Sequence, residues 1–393
     1  MPASSSSRKS RLRPRQASSL FRDLSAKGQP KLLIVTQQGD THAYSVAEAA
    51  HQKGACVSLW HTSDFPRTAS ATVDFDRATW LEVDGLNLTD LAANFDVVWH
   101  RRPCLNVDRE ALHPSDIRFA QHEAQALQAA IFDLIAPKAF WVNPRQAASR
   151  ASNKILQIAT ARRVGLATPR ALYSNHPTEI RNFLASVGGR GIYKPLVGLV
   201  WEKGEARFMI YTTIVTSDTL VEDHLLQNVP GIYQEVVPKA YEVRITMCGS
   251  LGFGVRLWSQ ETSQGRLDWR RAYGELKMEA MDIPALILRC CARILRLLGL
   301  VFGCFDFIVT PAGEWVFLEV NQMGQFLFLE QPTGLCLLDA FTEFLLGRRF
   351  QFSWAPQPGA IRYSDVLPKV RRMEKAALKL HAASPENVEI EAQ

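Results

Sequence analysis

The run Val301 to Gln325, VFGCFDFIVTPAGEWVFLEVNQMGQ, constrains this chain more than any other. Phe305 to Thr310 and Glu314 to Asn321 are rich in Phe, Val and Ile, and Pro311-Ala312-Gly313 between them is turn chemistry, so the run predicts a β-hairpin. A turn centred on Ala312-Gly313 sets Asp306 directly opposite Glu319, and period two puts Asn321 on the face of Glu319. Phe305, Phe307, Val316, Leu318 and Val320 then point the other way, into a core. Two facing carboxylates repel unless positive charge lies between them. A hard divalent cation fits that need, with three oxygen ligands from two strands and with waters and substrate phosphates completing Mg²⁺. The alternative is a solvated polar face without metal. This run alone leaves both open.

With 393 residues the chain is long enough for two or three domains around a large core. Apolar residues make up 47% and charged residues 21%, ordinary values for a globular enzyme. The formal charge of +6 is concentrated in residues 1–30, where seven Arg and Lys meet Asp23 alone. The remainder is about neutral, which argues against a nucleic-acid surface on the body. That Ser- and Arg-rich arm has little apolar surface and predicts disorder, a composition shared with organellar transit peptides. Seven scattered Cys without a CxxC pair suit a reducing cytoplasm rather than disulfides or zinc. No apolar run approaches a membrane span.

From Lys31 the order is strand, helix, strand: KLLIVT, Ala43 to Gln52, CVSLW, then a strand over Asp96 to Trp99. This predicts a small α/β domain with a parallel sheet over 31–142. Its last strand delivers Arg101 and Arg102, at the strand end where open sheets place ligand sites. A solvated basic turn is the other reading. Residues 143–232 predict a second lobe, with a helix bearing Lys154, a strand ending at Lys194, and a strand over Phe208 to Val215. Residues 233–348 predict a third, with strands IYQEVV and EVRITMC and a polar loop over 261–283. In it a helix from Pro284 to Leu298, with Leu286, Ile287, Cys290, Ile294 and Leu297 on one face, leads to the hairpin. Residues 349–393 form an extension, partly disordered, with a short amphipathic stretch near Val370 to Leu380.

The common nucleotide and hydrolase motifs are absent: there is no P-loop, GxGxxG, GxSxG or HExxH. What remains is an ordered series: Lys154, Lys194, Gln234-Glu235-Val236-Val237, Glu242-Val243-Arg244, Asp306 and Glu319-Val320-Asn321. Each Lys alone reads as a solvated side chain. As a series they resemble the ATP-grasp ligases over residues 31–346. The words VVWHRRP, IYQEVVPKAYEVRIT, LDWR and FLEVNQMGQFLFLE resemble the graspetide (microviridin-type) peptide maturases, which are related to the ligase that adds glutamates to a ribosomal protein.

The resemblance implies an α/β ATP-grasp fold with ATP and Mg²⁺ between two lobes. Lys154 and Lys194 would contact the nucleotide phosphates. Gln234 to Val237 would be the hinge, with backbone groups of Glu235 and Val237 reading adenine, and Glu242 would take the ribose hydroxyls. Asp306, Glu319 and Asn321 would hold Mg²⁺, and Arg244 and Arg270 would stabilise the transferring phosphoryl group. Arg101, Arg102, Asp268 and Trp269 would face the substrate, an acidic precursor peptide that in this family can carry a leader segment. A homodimer is compatible with the resemblance, and neither nucleic acid nor a membrane is an expected partner. The implied reaction activates Asp or Glu side chains as acyl phosphates and joins them to Ser, Thr or Lys. Addition of amino acids to a protein, ligation of small acids and amines, and a module without turnover stay open beside it. One departure is the loop VGLVWEKGEA after Lys194. It has only Gly198 and Gly204 and carries a Trp, where a mobile phosphate lid is usually richer in glycine.

Overall fold

The computed structural model describes residues 28–77, 81–83, 86–87, 95–197, 200–203, 206–209, 212–272 and 274–381. The expected basic arm and the last residues of the chain lie outside them, as do residues 198–199 and 204–205 of the loop expected after Lys194, whose Val200–Lys203 is strand rather than loop.

The apolar run at the start forms β1 (Lys31–Thr36), followed by α1 (Thr41–Gln52), β2 (Cys56–His61), β3 (Val97–His100), α2 (Pro114–Leu134) and β4 (Phe140–Val142). The four strands make a parallel sheet in the order β2-β1-β3-β4. A central parallel strand is covered on both faces, which is why β1 has no polar alternation. Leu32 and Ile34 face α1, while Leu33 and Val35 pack with Ile131 and Phe132 of α2.

Next come α3 (Arg145–Ala151), α4 (Lys154–Arg163), β5 (Ala171–Ser174), α5 (Pro177–Ser186) and β6 (Arg190–Lys194). β7 (Val200–Lys203) and β8 (Ala206–Met209) form a separate antiparallel ribbon, and β9 (Thr213–Thr216) and β10 (Gly231–Glu235) complete a sheet in the order β9-β6-β10-β5. The single strand expected over Phe208 to Val215 is therefore two. One part pairs within the ribbon and the other pairs with β6.

The third sheet is built from β11 (Tyr241–Cys248), β12 (Leu251–Leu257), β13 (Met278–Met281), β14 (Phe302–Val309) and β15 (Trp315–Asn321), with α6 (Ala285–Leu298) between β13 and β14. Its order is β13-β12-β11-β14-β15, all antiparallel. Residues 261–283, expected as loop, thus contribute an edge strand. Met-Glu-Ala-Met has weak β-propensity, and pairing with β12 decides its state. α6 covers one face of this sheet with Ile287, Cys290, Cys291, Ile294 and Leu298, and ends at Gly299 with φ +76°, a left-handed cap that suits glycine. Leu286, expected on that face, is 63% exposed. The buried stripe runs through 287, 291, 294 and 298, which turns Leu286 outward.

The hairpin forms, and Asp306 pairs with Glu319 as expected. It does so by a different route. Turn bonds between Thr310 and both Gly313 and Glu314 centre the loop on Ala312, which alone gives a register one residue away. A bulge leaving Leu318 unpaired restores Asp306 opposite Glu319. It also swaps faces, so Phe317, not Leu318, joins Phe305, Phe307 and Val320 in the core.

After the hairpin come α7 (Leu337–Gly347) and α8 (Tyr363–Leu380). The short stretch expected near Val370 to Leu380 is an 18-residue helix burying Val366, Val370, Met373 and Ala377. These pack with α1 and α7 in the largest core, which joins the parallel sheet to Phe302 and Cys304 of β14. Thr41 donates to Glu374 at 2.6 Å and Lys369 pairs with Glu48 at 2.7 Å, so the end of the described chain clasps its beginning. Among the described residues no helix is long and apolar enough to cross a membrane.

Candidate nucleotide and carboxylate-activation site

Alternation along β11 sends Val243, Ile245 and Met247 into the α6 core and leaves Glu242, Arg244 and Thr246 on the opposite face. Arg244 pairs in register with Asp306, and its Nη1 donates to both carboxylate oxygens, at 2.8 and 2.9 Å. Nη2 donates to the carbonyl of Gln325 at 3.0 Å, and the guanidinium lies 5.7 Å from the centre of the Trp269 ring. Burial opposes the charge on Arg244, but Asp306 outweighs it and the pKa rises. Burial pushes the Asp306 carboxyl up, Arg244 pulls it back, and Glu319 adds to the rise.

Four cations surround the Asp306 and Glu319 pair. Lys154 opens α4, whose N-cap Asn153 accepts the Leu156 amide N–H. Its Nζ lies 4.0 Å from Glu319 Oε2 and 3.4 Å from the carbonyl of Pro195, the residue after Lys194. Lys194 itself has a lowered pKa, from burial first and then from the charges of Lys154 and Arg270, with Glu319 opposing. Arg270 is aimed by Asp268, which accepts from its Nε at 2.8 Å and its Nη2 at 2.6 Å. Burial alone would raise the Asp268 carboxyl, but the Arg270 bonds hold it low. The charge of Arg270 reaches both Asp306 and Glu319.

The donor set of the hairpin is two carboxylates and the amide oxygen of Asn321, which here accepts the Met323 N–H at 3.0 Å. These are hard oxygen ligands, too few for an all-protein cage, and they fit Mg²⁺ that keeps waters and phosphate oxygens in its shell. Among the described residues no three His, Cys, Asp or Glu side chains converge on a metal position.

The remaining expected residues divide. β10 ends at Glu235, so the expected hinge Gln234 to Val237 is half strand, and only Val236 and Val237 lie in the connection from this sheet to the next. Gln234 is buried in the strand, Glu235 accepts the Arg170 amide at 2.8 Å, Val236 is exposed and Val237 half-buried. Glu242 is buried and paired with Lys239 at 2.8 Å. Trp269 is buried, stacked on Phe328, and Asp268 is spent on Arg270 and Thr212, so neither presents a free face to a substrate. Arg101 is buried as well. It pairs with Asp40 at 3.4 Å and donates from Nη1 to the Met323 carbonyl, while Arg102 is only half-buried.

Several residues around the site were not singled out by sequence. The Asn143 side chain donates to Phe302 and Gln322 carbonyls and accepts the Val301 and Phe302 N–H groups, at 2.8 to 3.0 Å. His42 Nε2 accepts the N–H groups of Phe326 and Leu327, both at 3.1 Å. Gln157 on α4 bonds both backbone groups of Val320. A polar residue on the buried side of a helix was the available signal for Gln157. Lys239 lay within the quoted hinge word, and its pairing with Glu242 is visible only at i, i+3.

No protein-family profile matches the chain, and a search of curated proteins returns no relative. Solved structures do match. With its four-stranded parallel sheet and its four- and five-stranded antiparallel sheets, this chain has the fold of the ATP-grasp ligases. Within that class it is similar to the macrocyclase MdnC from Microcystis aeruginosa MRC, solved with its precursor peptide MdnA. The TM-score is 0.71 at 27% identity, over 81% of this chain and 100% of that one. The macrocyclase MdnB from the same organism aligns with TM-score 0.65 at 29% identity, over 80% and 99%. The ATP-grasp ligase PsnB, complexed with a phosphomimetic variant of a minimal precursor, Mg and ADP, shares the fold with TM-score 0.65 at 22% identity, over 81% and 99%.

Proposed function

We propose that this chain is an ATP-dependent carboxylate ligase that joins Asp or Glu side chains of a precursor peptide to Ser or Thr hydroxyls or Lys amines of the same peptide. The observation that carries the reading is the convergence of Lys154, Lys194, Arg244 and Arg270 on the Asp306–Glu319 pair, between two sheets joined by the connection Val236 to Ala240. Phosphoryl transfer is mainly positioning and charge neutralisation, and this site offers cations and carboxylates without a nucleophilic side chain. The likeness to two macrocyclases, one of them solved with its precursor peptide, supports a peptide substrate.

In this reading Lys154 and Lys194 hold the nucleotide phosphates, the Gln234 to Val237 backbone meets adenine, and Glu242, steadied by Lys239, takes the ribose. Asp306, Glu319 and Asn321 would hold Mg²⁺, which when bound screens the phosphate charges. The substrate carboxylate attacks the γ-phosphorus of ATP, forming an acyl phosphate and releasing ADP. Arg270, aimed by Asp268, meets the charge that grows on the transferring group. A hydroxyl or amine then attacks the acyl carbon, phosphate leaves, and an ester or amide remains. Arg102, half-buried at the end of β3, and the exposed Arg266 and Arg271 within residues 261–283 are the arginines proposed to meet the other acidic side chains of the peptide. Seven free thiols support a reducing, cytoplasmic setting. A homodimer is compatible with this assignment.

The test is ADP formation with an acidic, Ser/Thr- or Lys-containing peptide present and absent. Peptide-stimulated, Mg²⁺-dependent ADP release is expected. ATP binding without any stimulation would instead favour a nucleotide-binding module without turnover.

A further inference from the structure

We infer that Gln157 is a positioning residue that sets the distance between the phosphate lysine Lys154 and the carboxylate and amide ligands Glu319 and Asn321. The inference rests on the site reading above and deepens it.

β15 is an edge strand of the five-stranded sheet, so its outward backbone groups need partners from elsewhere. At Val320, the residue between Glu319 and Asn321, that partner is a side chain. Gln157 Oε1 accepts the Val320 N–H at 2.9 Å, and Gln157 Nε2 donates to the Val320 carbonyl at 2.9 Å. One primary amide thus makes the pair of bonds a neighbouring strand would make. Nε2 also donates to the Ala151 carbonyl at 2.7 Å, so the amide is fixed to the end of α3 as well. Gln157 is 4% exposed, which gives these bonds little competition from water.

Lys154 lies three residues earlier on the same helix, nearly one turn away, and its Nζ is 4.0 Å from Glu319. The amide is therefore a strut. It ties the helix that carries the phosphate cation to the backbone on either side of which two proposed metal ligands project. Sliding α4 along β15 would change the Lys154 to Glu319 distance and leave two buried polar groups of Val320 unpaired. An apolar residue here would still pack, but nothing would fix the register of helix on strand.

The experiment compares Gln157→Met, close in length and in helix propensity, and Gln157→Asn, which keeps the amide but is one methylene short, with Ile158→Ala. Ile158 is the buried neighbour on α4 that faces the α6 core and makes no bond to β15. Calorimetric titration with Mg²⁺ and ADP is the readout, with thermal midpoints recorded for all variants. Both Gln157 variants are expected to weaken Mg·ADP binding by about 10-fold or more, whereas Ile158→Ala loses thermal stability and binds within about 3-fold of the parent. Mg·ADP affinity in the Gln157 variants equal to that of Ile158→Ala would overturn the inference; if the Met variant does not fold, the Asn variant decides. Lys154→Met separates this from the site reading. Weakened binding in Lys154→Met with intact binding in the Gln157 variants refutes the strut alone, and unchanged binding in Lys154→Met refutes the site on which it rests.

Discussion

Nη1 of Arg244 lies 2.8 and 2.9 Å from the two carboxylate oxygens of Asp306, on adjacent strands and in direct register, and both side chains are mostly buried. Removing one partner of such a pair leaves an uncompensated buried charge. Arg244→Met should cost about 3 kcal/mol in denaturant unfolding. Adding Asp306→Asn should restore much of that stability but none of the ADP formation. A double variant as active as the parent would show that the pair is structural only.

Lys194 gives the opposite combination. Burial disfavours its charge, so the folded protein carries this cation at some cost. Lys194→Met should leave the thermal midpoint unchanged or raise it, while ATP binding weakens by at least about 10-fold. Equal loss of stability and binding would argue against a functional burial of this lysine.

Three histidines with lowered pKa values weigh on stability in acid. Burial holds His42 and His61 down to about 3 and His100 to about 4, against 6.5 for a free side chain, with the positive charges of Arg101, His381 and Arg145 adding to the effect. The folded state therefore binds fewer protons than the unfolded chain below pH 6.5. Their contribution is complete above that pH and is lost progressively as pH falls towards 4 and 3. Among the described residues neither ring nitrogen of His100 has a hydrogen-bond partner, and the ring sits against Phe132 and Trp141. His100→Leu should flatten the acid limb of thermal midpoint against pH without loss at pH 7.5. A steeper limb would contradict the assignment.

The helix α8 belongs to the core, not to an appendage. Val370 is fully buried against α1, and Val370→Asp places a charge there without a partner. We expect insoluble or unfolded protein, as for truncation before Arg362. A soluble truncated chain with an unchanged midpoint would refute the packing argument.

Much of the site was legible because its residues sit at fixed offsets on regular strands. Period two puts Asn321 on the face of Glu319, and the turn chemistry of Pro311-Ala312-Gly313 brings Asp306 opposite Glu319. The bulge at Leu318 was not legible, since a five-residue turn with a bulge and a shorter turn without one give the same pairing at Asp306. The extent of α8 was hidden by Pro368, which reads as a break but lies exposed in an early turn of the helix. Arg101 read as a ligand-facing residue, because a strand end does not reveal that Asp40 and the Met323 carbonyl will enclose it. Asn143 and His42 act on backbone groups far along the chain, which no local pattern announces, whereas Gln157 was marked only as a polar residue on the buried side of its helix.

The central claim is intramolecular ligation driven by ATP at the Asp306–Glu319 site. The most direct measurement is the mass of an acidic, Thr- or Lys-containing peptide after incubation with the protein, ATP and Mg²⁺, beside the same reaction with Glu319→Gln. We expect the peptide to lose one water per bond formed, with matching ADP, and the variant to slow this by at least about 100-fold. A mass gain with free glutamate, ATP turnover on a small acid with the peptide unchanged, or a fully active Glu319→Gln variant would contradict the claim.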